Sequence, residues 1–361
     1  MKILFVIGSL AGGGAERVVS EISGAMAEQN DEISILTIAS SKIGYNISPR
    51  VKVIDCSRRT SAIGINFIKR VSKIRNLIKA NKPDMVISFT VAVNIYSILS
   101  CIGLKTKLIL AERNDPRFDP ENKVTRMLRS VLYPLANNYV FQTNGEKEFF
   151  SKKIQKRSTV IPNPVNPNLP EPHKGEREKK FVTAVRLTPQ KNIVMAIDAF
   201  EKVVKKHPEY IFEIYGEGPL KEELQNYIEL KSLSKSVFLK GRSNDIYNDI
   251  NSACGFVLSS NYEGISNSMI EAMALGIPTI STDYPSGGAR ELIKSGENGY
   301  LVPVGDSVQM SECMCAIIEN KESAKLLGKN AIKIRQKLNV EYIFKKWIQY
   351  INFCTYPVVE K

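Results

Sequence analysis

Two glutamates on either side of a polar loop are the residues of this chain best suited to binding a charged, hydroxyl-rich molecule. Residues 256–259 have the pattern of a short buried strand, and a helix capped by Asn267 or Ser268 is predicted to follow. Glu263 lies in the loop, and Glu271 lies in the first turns of the helix. N–H groups at the start of that helix suit a phosphate, and each carboxylate can accept hydrogen bonds from sugar hydroxyls. Either glutamate alone is also compatible with a solvated or helix-stabilising role.

Two cations earlier in the sequence suit the same phosphate. Residues 181–187 have the pattern of a strand, and Thr188 and Pro189 are predicted to cap and open the next helix, with Lys191 in its first turn. A lysine at that position opposes the helix dipole unless an anion lies in front of it. Arg186, Lys191 and the start of the helix are therefore predicted to converge on one phosphate dianion, although a solvated surface pair is the alternative.

Glycine loops form a second set of candidate phosphate contacts. The N-terminus has an apolar run at residues 2–7, a glycine loop and then a helical pattern, but the next strand ends in Ala39-Ser40 without an acid for a ribose. An NAD site is therefore disfavoured. Gly12–Gly14 still permit close approach of the backbone to an oxyanion, although a tight turn alone also requires glycines. Gly287 and Gly288 are predicted to precede a later helix in the same way.

A predicted basic helix at residues 65–82 is the main feature outside these loops. Lys69 and Lys73 are four residues apart, and this like-charged pair is unfavourable in isolation. The helix suits contact with anionic lipid or with a lipid-linked diphosphate, and a solvated basic face is the alternative. Lys123, Arg126 and Arg129 form a second basic stretch with the same two interpretations.

Length and composition indicate two α/β domains. The 361 residues are ample for two cores, and apolar strands alternate with helical segments, as in parallel sheets covered by helices. Five prolines between residues 161 and 173 indicate a connector. The net charge of +13 favours anionic partners, and no apolar run approaches the roughly 18 residues of a membrane span. The six cysteines lack the paired spacing of a zinc site and are expected to be reduced, buried thiols.

The spacing of the two glutamates and the sequence after them resemble the signature of the retaining glycosyltransferases of family 4. Glu263 and Glu271 are separated by seven residues and followed by Ala-Met-Ala-Leu-Gly-Ile-Pro, and residues 186–192 resemble the Arg-Leu-x-x-x-Lys-Asn segment of that family. The resemblance implies the GT-B fold, an α/β fold of two Rossmann-like domains with mostly parallel sheets facing a central cleft. It divides the chain into an acceptor domain (1–163), a linker (164–180), a donor domain (181–340) and a C-terminal helix that packs back toward the first domain (341–361).

The resemblance also implies roles for individual residues. Catalysis and leaving-group stabilisation fall to Arg186, Lys191 and Glu263. Donor binding falls to Gly13, Gly14, Gly216, Arg242, Gly264, Ile265, Ser266, Asn267 and Glu271. Acceptor binding is predicted from position: Glu112, Arg113 and Asp115 follow a strand at the edge where open α/β sheets bind ligands, and Lys69 and Lys73 lie on the basic helix. Many relatives in the resembling family have a histidine at the position of Arg113. The chain has no Asp-x-Asp pattern, so no metal ligand and no cofactor beyond the nucleotide-sugar substrate is expected.

The expected activity is transfer of a hexose or N-acetylhexosamine from a nucleoside-diphosphate sugar, with UDP as the nucleotide by analogy, to a lipid-linked glycan. The resemblance implies retention of anomeric configuration, bacterial O-antigen, capsule or exopolysaccharide synthesis, and peripheral attachment to the cytoplasmic face of the inner membrane. A nucleotide-sugar epimerase of the same fold, or a transferase with a soluble acceptor, is the alternative. A nucleic-acid binder is less favoured because aromatic and basic residues do not interleave.

Overall fold

The computed structural model describes residues 1–29, 31–57 and 63–355, with the backbone alone for residues 63–66. Residues 356–361 of the predicted C-terminal segment, and the side chains of residues 65 and 66 in the predicted basic helix, therefore lie outside the described residues. The chain divides into two compact units, one formed by Met1–Asn163 with Val340–Lys361 and the other by Pro164–Asn339.

The first unit is built on a parallel sheet of seven strands in the order β3-β2-β1-β4-β5-β6-β7. Its inner strands are almost continuously apolar and buried, as expected for a sheet covered by helices on both faces. The strand order reverses between β1 and β4, which creates a switch point at the carboxyl ends of those strands. The strands are β1 (Lys2–Ile7), β2 (Glu32–Thr37), β3 (Lys52–Asp55), β4 (Met85–Phe89), β5 (Lys107–Ala111), β6 (Asn138–Phe141) and β7 (Ser158–Val160).

Six α-helices precede the second unit in the part of the first unit that the structure describes. They are α1 (Gly14–Glu28), α2 (Ile63–Asn81), α3 (Val91–Cys101), α4 (Lys123–Leu132), α5 (Asn144–Phe149) and α6 (Lys152–Gln155). Helix α3 packs between α2 and α4. The ring of Phe67 on α2 lies 4.9 Å from that of Tyr96 on α3, centroid to centroid. The three helices therefore form one layer, which we call the basic layer for the charges described below.

The second unit has a parallel sheet of six strands in the order β10-β9-β8-β11-β12-β13, with its switch point between β8 and β11. The strands are β8 (Glu178–Ala184), β9 (Ile211–Tyr215), β10 (Val237–Gly241), β11 (Ala253–Leu258), β12 (Thr279–Thr282) and β13 (Tyr300–Val302). The helices are α7 (Ile193–Lys206), α8 (Lys221–Leu230), α9 (Ile246–Asn251), α10 (Asn267–Ala274), α11 (Ser307–Glu319), α12 (Lys321–Ala331) and α13 (Ile334–Lys337).

The last helix, α14 (Val340–Thr355), belongs to the first unit. Its Trp347 is fully buried, with the ring centroid 5.9 Å from that of Phe89 at the end of β4. Lys107 on β5 donates from Nζ to the carbonyl of Cys354 at 2.7 Å. Aromatic packing and a charge-assisted bond at its C-terminal end thus fix this helix against the first sheet. Within the described residues, no helix is long and apolar enough to cross a membrane.

Two predicted helix starts are wrong. The helix expected to open at Pro189 begins only at Ile193, because Pro189–Lys191 form a 3-10 turn and Asn192 adopts the left-handed conformation (φ 45°) and caps α7 through Met195 N. No helix follows Gly288, since residues 288–292 form successive turns. Gly287 (φ 78°) provides the left-handed conformation that these turns require.

Candidate functional site

Lys191 and Glu263 form an ion pair at the switch point of the second sheet. Lys191 lies in the segment after β8 and Glu263 in the segment after β11, and Lys191 Nζ contacts Glu263 Oε1. Their side chains are only 15% and 9% exposed. Glu263 also accepts hydrogen bonds from Ser260 Oγ at 2.8 Å and Gln190 Nε2 at 3.2 Å. Open α/β sheets bind ligands at this edge, so the pair occupies the position expected of a site.

Three further bonds fasten these two segments together. The Asn261 amide N–H donates to the Gln190 carbonyl at 2.8 Å, and Asn192 Nδ2 donates to Asn261 Oδ1 at 2.9 Å. Ser259 Oγ donates to the Lys191 carbonyl at 2.9 Å. Lys191 is therefore positioned by a hydrogen bond to its backbone carbonyl as well as by the ion pair of its side chain. The asparagines and serines that form these bonds are not conspicuous in the sequence, because each looks like an ordinary loop residue.

Arg186 and Lys191 have different surroundings in this structure. Lys191 is neutralised by Glu263, while the Arg186 side chain is exposed and makes no hydrogen bond or ion pair with the described residues. Lys191 also lies in the 3-10 turn before α7, not in the helix itself. The convergence expected from the sequence thus requires Lys191 to exchange its carboxylate partner for a phosphate.

The loop after Glu263 leads directly into α10, which is capped by Ser266 and not by Asn267 or Ser268 as predicted. Ser266 Oγ accepts from Met269 N at 3.5 Å, so Gly264 and Ile265 form the approach to the helix and Asn267 is its first residue. The Gly264 carbonyl accepts from Ser286 Oγ at 3.1 Å. Glu271 is partly buried in the second turn of α10. The start of α10 thus lies beside the Lys191–Glu263 pair and presents a helix N-terminus there.

Gly216 and Arg242 follow the next two strands outward from the switch point. Gly216 (φ 133°) comes directly after β9, and its N–H donates to the Gly241 carbonyl at 2.8 Å. A Cβ atom there would lie 1.9 Å from the Val185 carbonyl oxygen, so the loop after β9 packs tightly on the loop after β8. Arg242 is exposed after β10. Both residues lie at the same sheet edge as Lys191, with Arg242 two strands away from β8.

In the first unit, the glycine loop donates a hydrogen bond to the carboxylate of Glu16. The Gly13 N–H donates to the Glu16 side chain, which also accepts from Ser9 Oγ. Tyr45 donates its hydroxyl to the Gly13 carbonyl at 2.9 Å, and Gly14 begins α1. A phosphate at Gly13 therefore has to displace Glu16, which the sequence pattern did not reveal.

Two of the predicted acceptor contacts, Glu112 and Asp115, are buried. Glu112 is 1% exposed and accepts a hydrogen bond from the Tyr133 hydroxyl, and burial raises the pKa of its carboxyl to about 7. Asp115 is fully buried and accepts from the Arg117 backbone N–H at 2.9 Å. Protein donors thus bind both carboxylates in the interior. In this structure the two carboxylates stabilise the loop after β5 through hydrogen bonds, and they are not exposed for direct contact with an acceptor.

Arg113, the third residue predicted in this loop, lies between aromatic rings. Its guanidinium carbon is 4.6 Å from the Phe89 ring centroid and 5.7 Å from that of Trp347. Nη1 donates to Asn163 Oδ1 at 3.1 Å, while Nε and Nη2 are buried without a partner among the described residues. Burial lowers the pKa of Arg113 to about 10, so the side chain remains charged at neutral pH.

The basic layer contains no acidic residue. Its three helices carry five Lys or Arg residues in α2 and three in α4, and neither they nor α3 contain Asp or Glu. Lys69 and Lys73 are exposed, as predicted for a charged face. Ile68 is 72% exposed, and among the apolar side chains described on α2 only Ile74 and Ile78 are fully buried.

Helix α4 exposes apolar side chains in place of the predicted basic face. Arg129 is buried and donates to the carbonyls of Asp119 and Pro116, and Arg126 donates to that of Pro120, so these two charges are structural. The exposed positions are instead apolar and recur at helical spacing: Val124, Met127 and Val131 are 61%, 60% and 65% exposed. The sequence showed the charges of this helix, but only the structure shows which of them face inward.

Comparison with protein families and known proteins agrees with this architecture. Residues 166–334 match the family of Glycosyl transferases group 1, and residues 12–169 match Glycosyltransferase Family 4. In fold, the chain is similar to the crystal structure of Anabaena HepE in complex with UDP and glucose. That likeness has a TM-score of 0.81 at 19% identity and covers 98% of this chain and 99% of the other.

Two relatives extend the similarity over most of the sequence. A Campylobacter jejuni protein named GalNAc-α-(1→4)-GalNAc-α-(1→3)-diNAcBac-PP-undecaprenol α-1,4-N-acetyl-D-galactosaminyltransferase is 29% identical over 358 residues, which cover 97% of this chain and 98% of that protein. An uncharacterised glycosyltransferase of Methanocaldococcus jannaschii is 30% identical over 336 residues, which cover 78% and 82% of the two chains. With two parallel Rossmann-like sheets and these matches, the chain belongs to the glycosyltransferases of the GT-B fold.

Proposed function

We propose that this glycosyltransferase moves a hexose or N-acetylhexosamine from a nucleoside-diphosphate sugar, with UDP as the default nucleotide, to a lipid-linked glycan. The observation that carries the proposal is the Lys191–Glu263 ion pair at the switch point of the second sheet. The acceptor class is supported by the Campylobacter jejuni relative, whose name describes an undecaprenol diphosphate glycan. The second unit is the donor side in this proposal, and the first unit is the acceptor side.

Donor binding changes the partners of Lys191 and Glu263. The diphosphate replaces Glu263 as the partner of Lys191 Nζ. The exposed Arg186 and the N–H groups at the start of α10 bind the same diphosphate as further positive groups. Glu263 keeps the hydrogen bonds that it accepts from Ser260 and Gln190, and it can then also accept hydrogen bonds from hydroxyls of the sugar. Glu271, in the second turn of α10, binds the ribose. The carboxylate thus holds Lys191 in place before the donor arrives.

The chemistry depends on charge that develops on the leaving diphosphate. As the anomeric C–O bond breaks, negative charge grows on the diphosphate, and fixed cations there lower the barrier because they act most strongly in the transition state. Retention of anomeric configuration, with the acceptor attacking on the leaving-group face, is part of this proposal. The cations supply the stabilisation that a metal ion provides in other transferases, so we expect activity to persist in a chelator.

The basic layer is the surface that meets the membrane in this proposal. Exposed Lys69, Lys73 and Lys123 attract an anionic lipid surface, each by about 1 kcal/mol. The exposed stripe of Val124, Met127 and Val131 enters the head-group region, where full burial of such a side chain contributes about 1.5–3 kcal/mol. Peripheral attachment to the cytoplasmic face of the inner membrane keeps the enzyme beside a lipid-linked acceptor.

A transfer assay tests the proposal. Purified protein is incubated with UDP- and GDP-sugars, with and without EDTA, and with a bacterial membrane extract as the acceptor source, and label in the lipid fraction is counted. We expect one sugar to enter that fraction, and Glu263→Ala and Lys191→Ala to abolish the transfer. Label in a water-soluble product indicates a soluble acceptor, and conversion of the sugar nucleotide without transfer indicates an epimerase. No donor binding by any sugar nucleotide contradicts the assignment of the site.

A further inference from the structure

A histidine, a cysteine and a glutamate meet on the second unit at the end of α7 opposite to Lys191. His207 directly follows α7, and Cys315 and Glu319 lie one turn apart on α11, which packs against α7. One ligand atom from each residue, a ring nitrogen, a sulfur and a carboxylate oxygen, lies within 4.8 Å of the other two. Helix α7 is about 20 Å long, so sugar transfer at Lys191 gives this cluster no role.

The three donors are a set that binds zinc. Thiolate and imidazole together favour Zn²⁺ over the hard cations, and a carboxylate is an accepted third ligand. Residues four apart on a helix present two ligands on one face, and the neighbouring helix end supplies the third. Donor atoms around tetrahedral zinc are about 3.3–3.8 Å apart. Rotation of the side chains is therefore sufficient to close the cluster around an ion.

We propose that His207, Cys315 and Glu319 bind one Zn²⁺ ion, with water as the fourth ligand. A simple hydrogen bond explains only part of the cluster: His207 Nε2 lies 3.2 Å from Glu319 Oε1, which leaves the buried Cys315 thiol without a role. On binding, the Cys315 thiol loses its proton to solvent as the sulfur–zinc bond forms, and any proton on the ligating ring nitrogen of His207 is released in the same way. Glu319 turns from His207 to the metal. The site joins the end of α7 to α11.

The site has a structural function and is independent of the proposed transfer reaction. The unfolded chain brings these ligands together only by chance, so zinc binds the folded second unit and stabilises it. The site is not visible in the sequence, because its ligands come from two segments more than a hundred residues apart and lack the short paired spacing of zinc motifs.

Cobalt and zinc titrations test this proposal on the full chain. Protein purified with chelator is transferred to metal-free buffer and titrated with Co²⁺, whose bond to a thiolate absorbs in the near ultraviolet, and Zn²⁺ affinity is then measured by competition. We expect one equivalent to bind. Cys315→Ser should remove the near-ultraviolet band and weaken zinc binding more than about 100-fold, and Glu319→Gln should weaken it at least about tenfold.

Cys313→Ser is the matched control, because Cys313 lies on the same helix but on a different face. It should bind both metals as the unaltered chain does. The proposal is overturned if one equivalent of zinc does not bind, or if Cys315→Ser and Cys313→Ser bind it equally. Alkylation of the unaltered chain, read by mass spectrometry, gives a test without any variant: zinc should slow alkylation of Cys315 and not of Cys313. Equal rates with and without zinc also overturn the proposal.

Discussion

Replacement of Lys191 by alanine tests the role of the ion pair in both stability and catalysis. The Lys191 and Glu263 side chains are 15% and 9% exposed, so loss of the lysine leaves a carboxylate nearly buried. Breaking a fully buried pair costs about 3–5 kcal/mol. Glu263 retains the bonds from Ser260 Oγ and Gln190 Nε2, so we expect a smaller loss of about 2–3 kcal/mol.

The catalytic effect should be larger than the structural one. A fixed donor or cation that faces charge developing in the transition state contributes about 10²–10³ in kcat. We therefore expect Lys191→Ala to lower kcat for sugar transfer by about that factor at saturating donor. Adding Glu263→Gln to Lys191→Ala should restore part of the lost stability, because the unpaired charge is removed, but should not restore turnover.

Steady-state transfer kinetics and urea unfolding of the same preparations measure the two effects. Lys221→Ala is the matched control, since Lys221 forms an exposed pair with Glu217, with both side chains about half exposed. Such a pair contributes about 0–1 kcal/mol, so this variant should retain the stability and the kcat of the unaltered enzyme. Turnover by Lys191→Ala within about threefold of that of Lys221→Ala contradicts the proposed role of Lys191.

Three further predictions concern other parts of the molecule. Gly216→Ala should destabilise the protein by about 2–4 kcal/mol in urea unfolding, because φ is 133° and the new Cβ meets the Val185 carbonyl; unchanged stability contradicts the observed loop packing. The pKa of Glu112 is about 7 in the folded protein against 4.5 ordinarily, so its contribution to stability should fall by about 3 kcal/mol as pH rises from about 4.5 to about 7. Glu112→Gln should flatten that part of the stability profile, and an equally steep profile refutes the assignment. Met127→Asp with Val131→Asp should weaken sedimentation with anionic vesicles at least about tenfold without changing the melting temperature, since both residues are exposed; binding equal to that of the unaltered chain removes α4 from the proposed surface.

The sequence predicted the two-sheet α/β architecture because apolar strands buried on both faces have a pattern that is hard to mistake. It also singled out Lys191 and Glu263, and the structure joins them in an ion pair at the switch point of the second sheet. The predicted start of α7 at Pro189, with Thr188 as its cap, was wrong, and the helix begins at Ile193. Asn192 takes a left-handed conformation and caps the helix instead, which the residue types at 188 and 189 do not reveal.

Side-chain direction was the main quantity that sequence reasoning could not supply. Glu112 looked like a loop carboxylate available to an acceptor, but the Tyr133 hydroxyl binds it in the interior. Arg129 looked like a surface charge but donates to backbone carbonyls, while the apolar Met127 faces outward. Such outcomes depend on partners 10 to 21 residues away or on other helices, and a periodic pattern contains no information about them.

A structure of the complex with UDP would show directly whether Lys191 leaves Glu263 to bind the donor diphosphate. We expect a diphosphate oxygen within about 3 Å of Lys191 Nζ, with Lys191 no longer paired to Glu263 and the start of α10 facing the phosphates. A diphosphate bound away from the segments that follow β8 and β11, or a Lys191–Glu263 pair that persists with UDP present, contradicts this expectation.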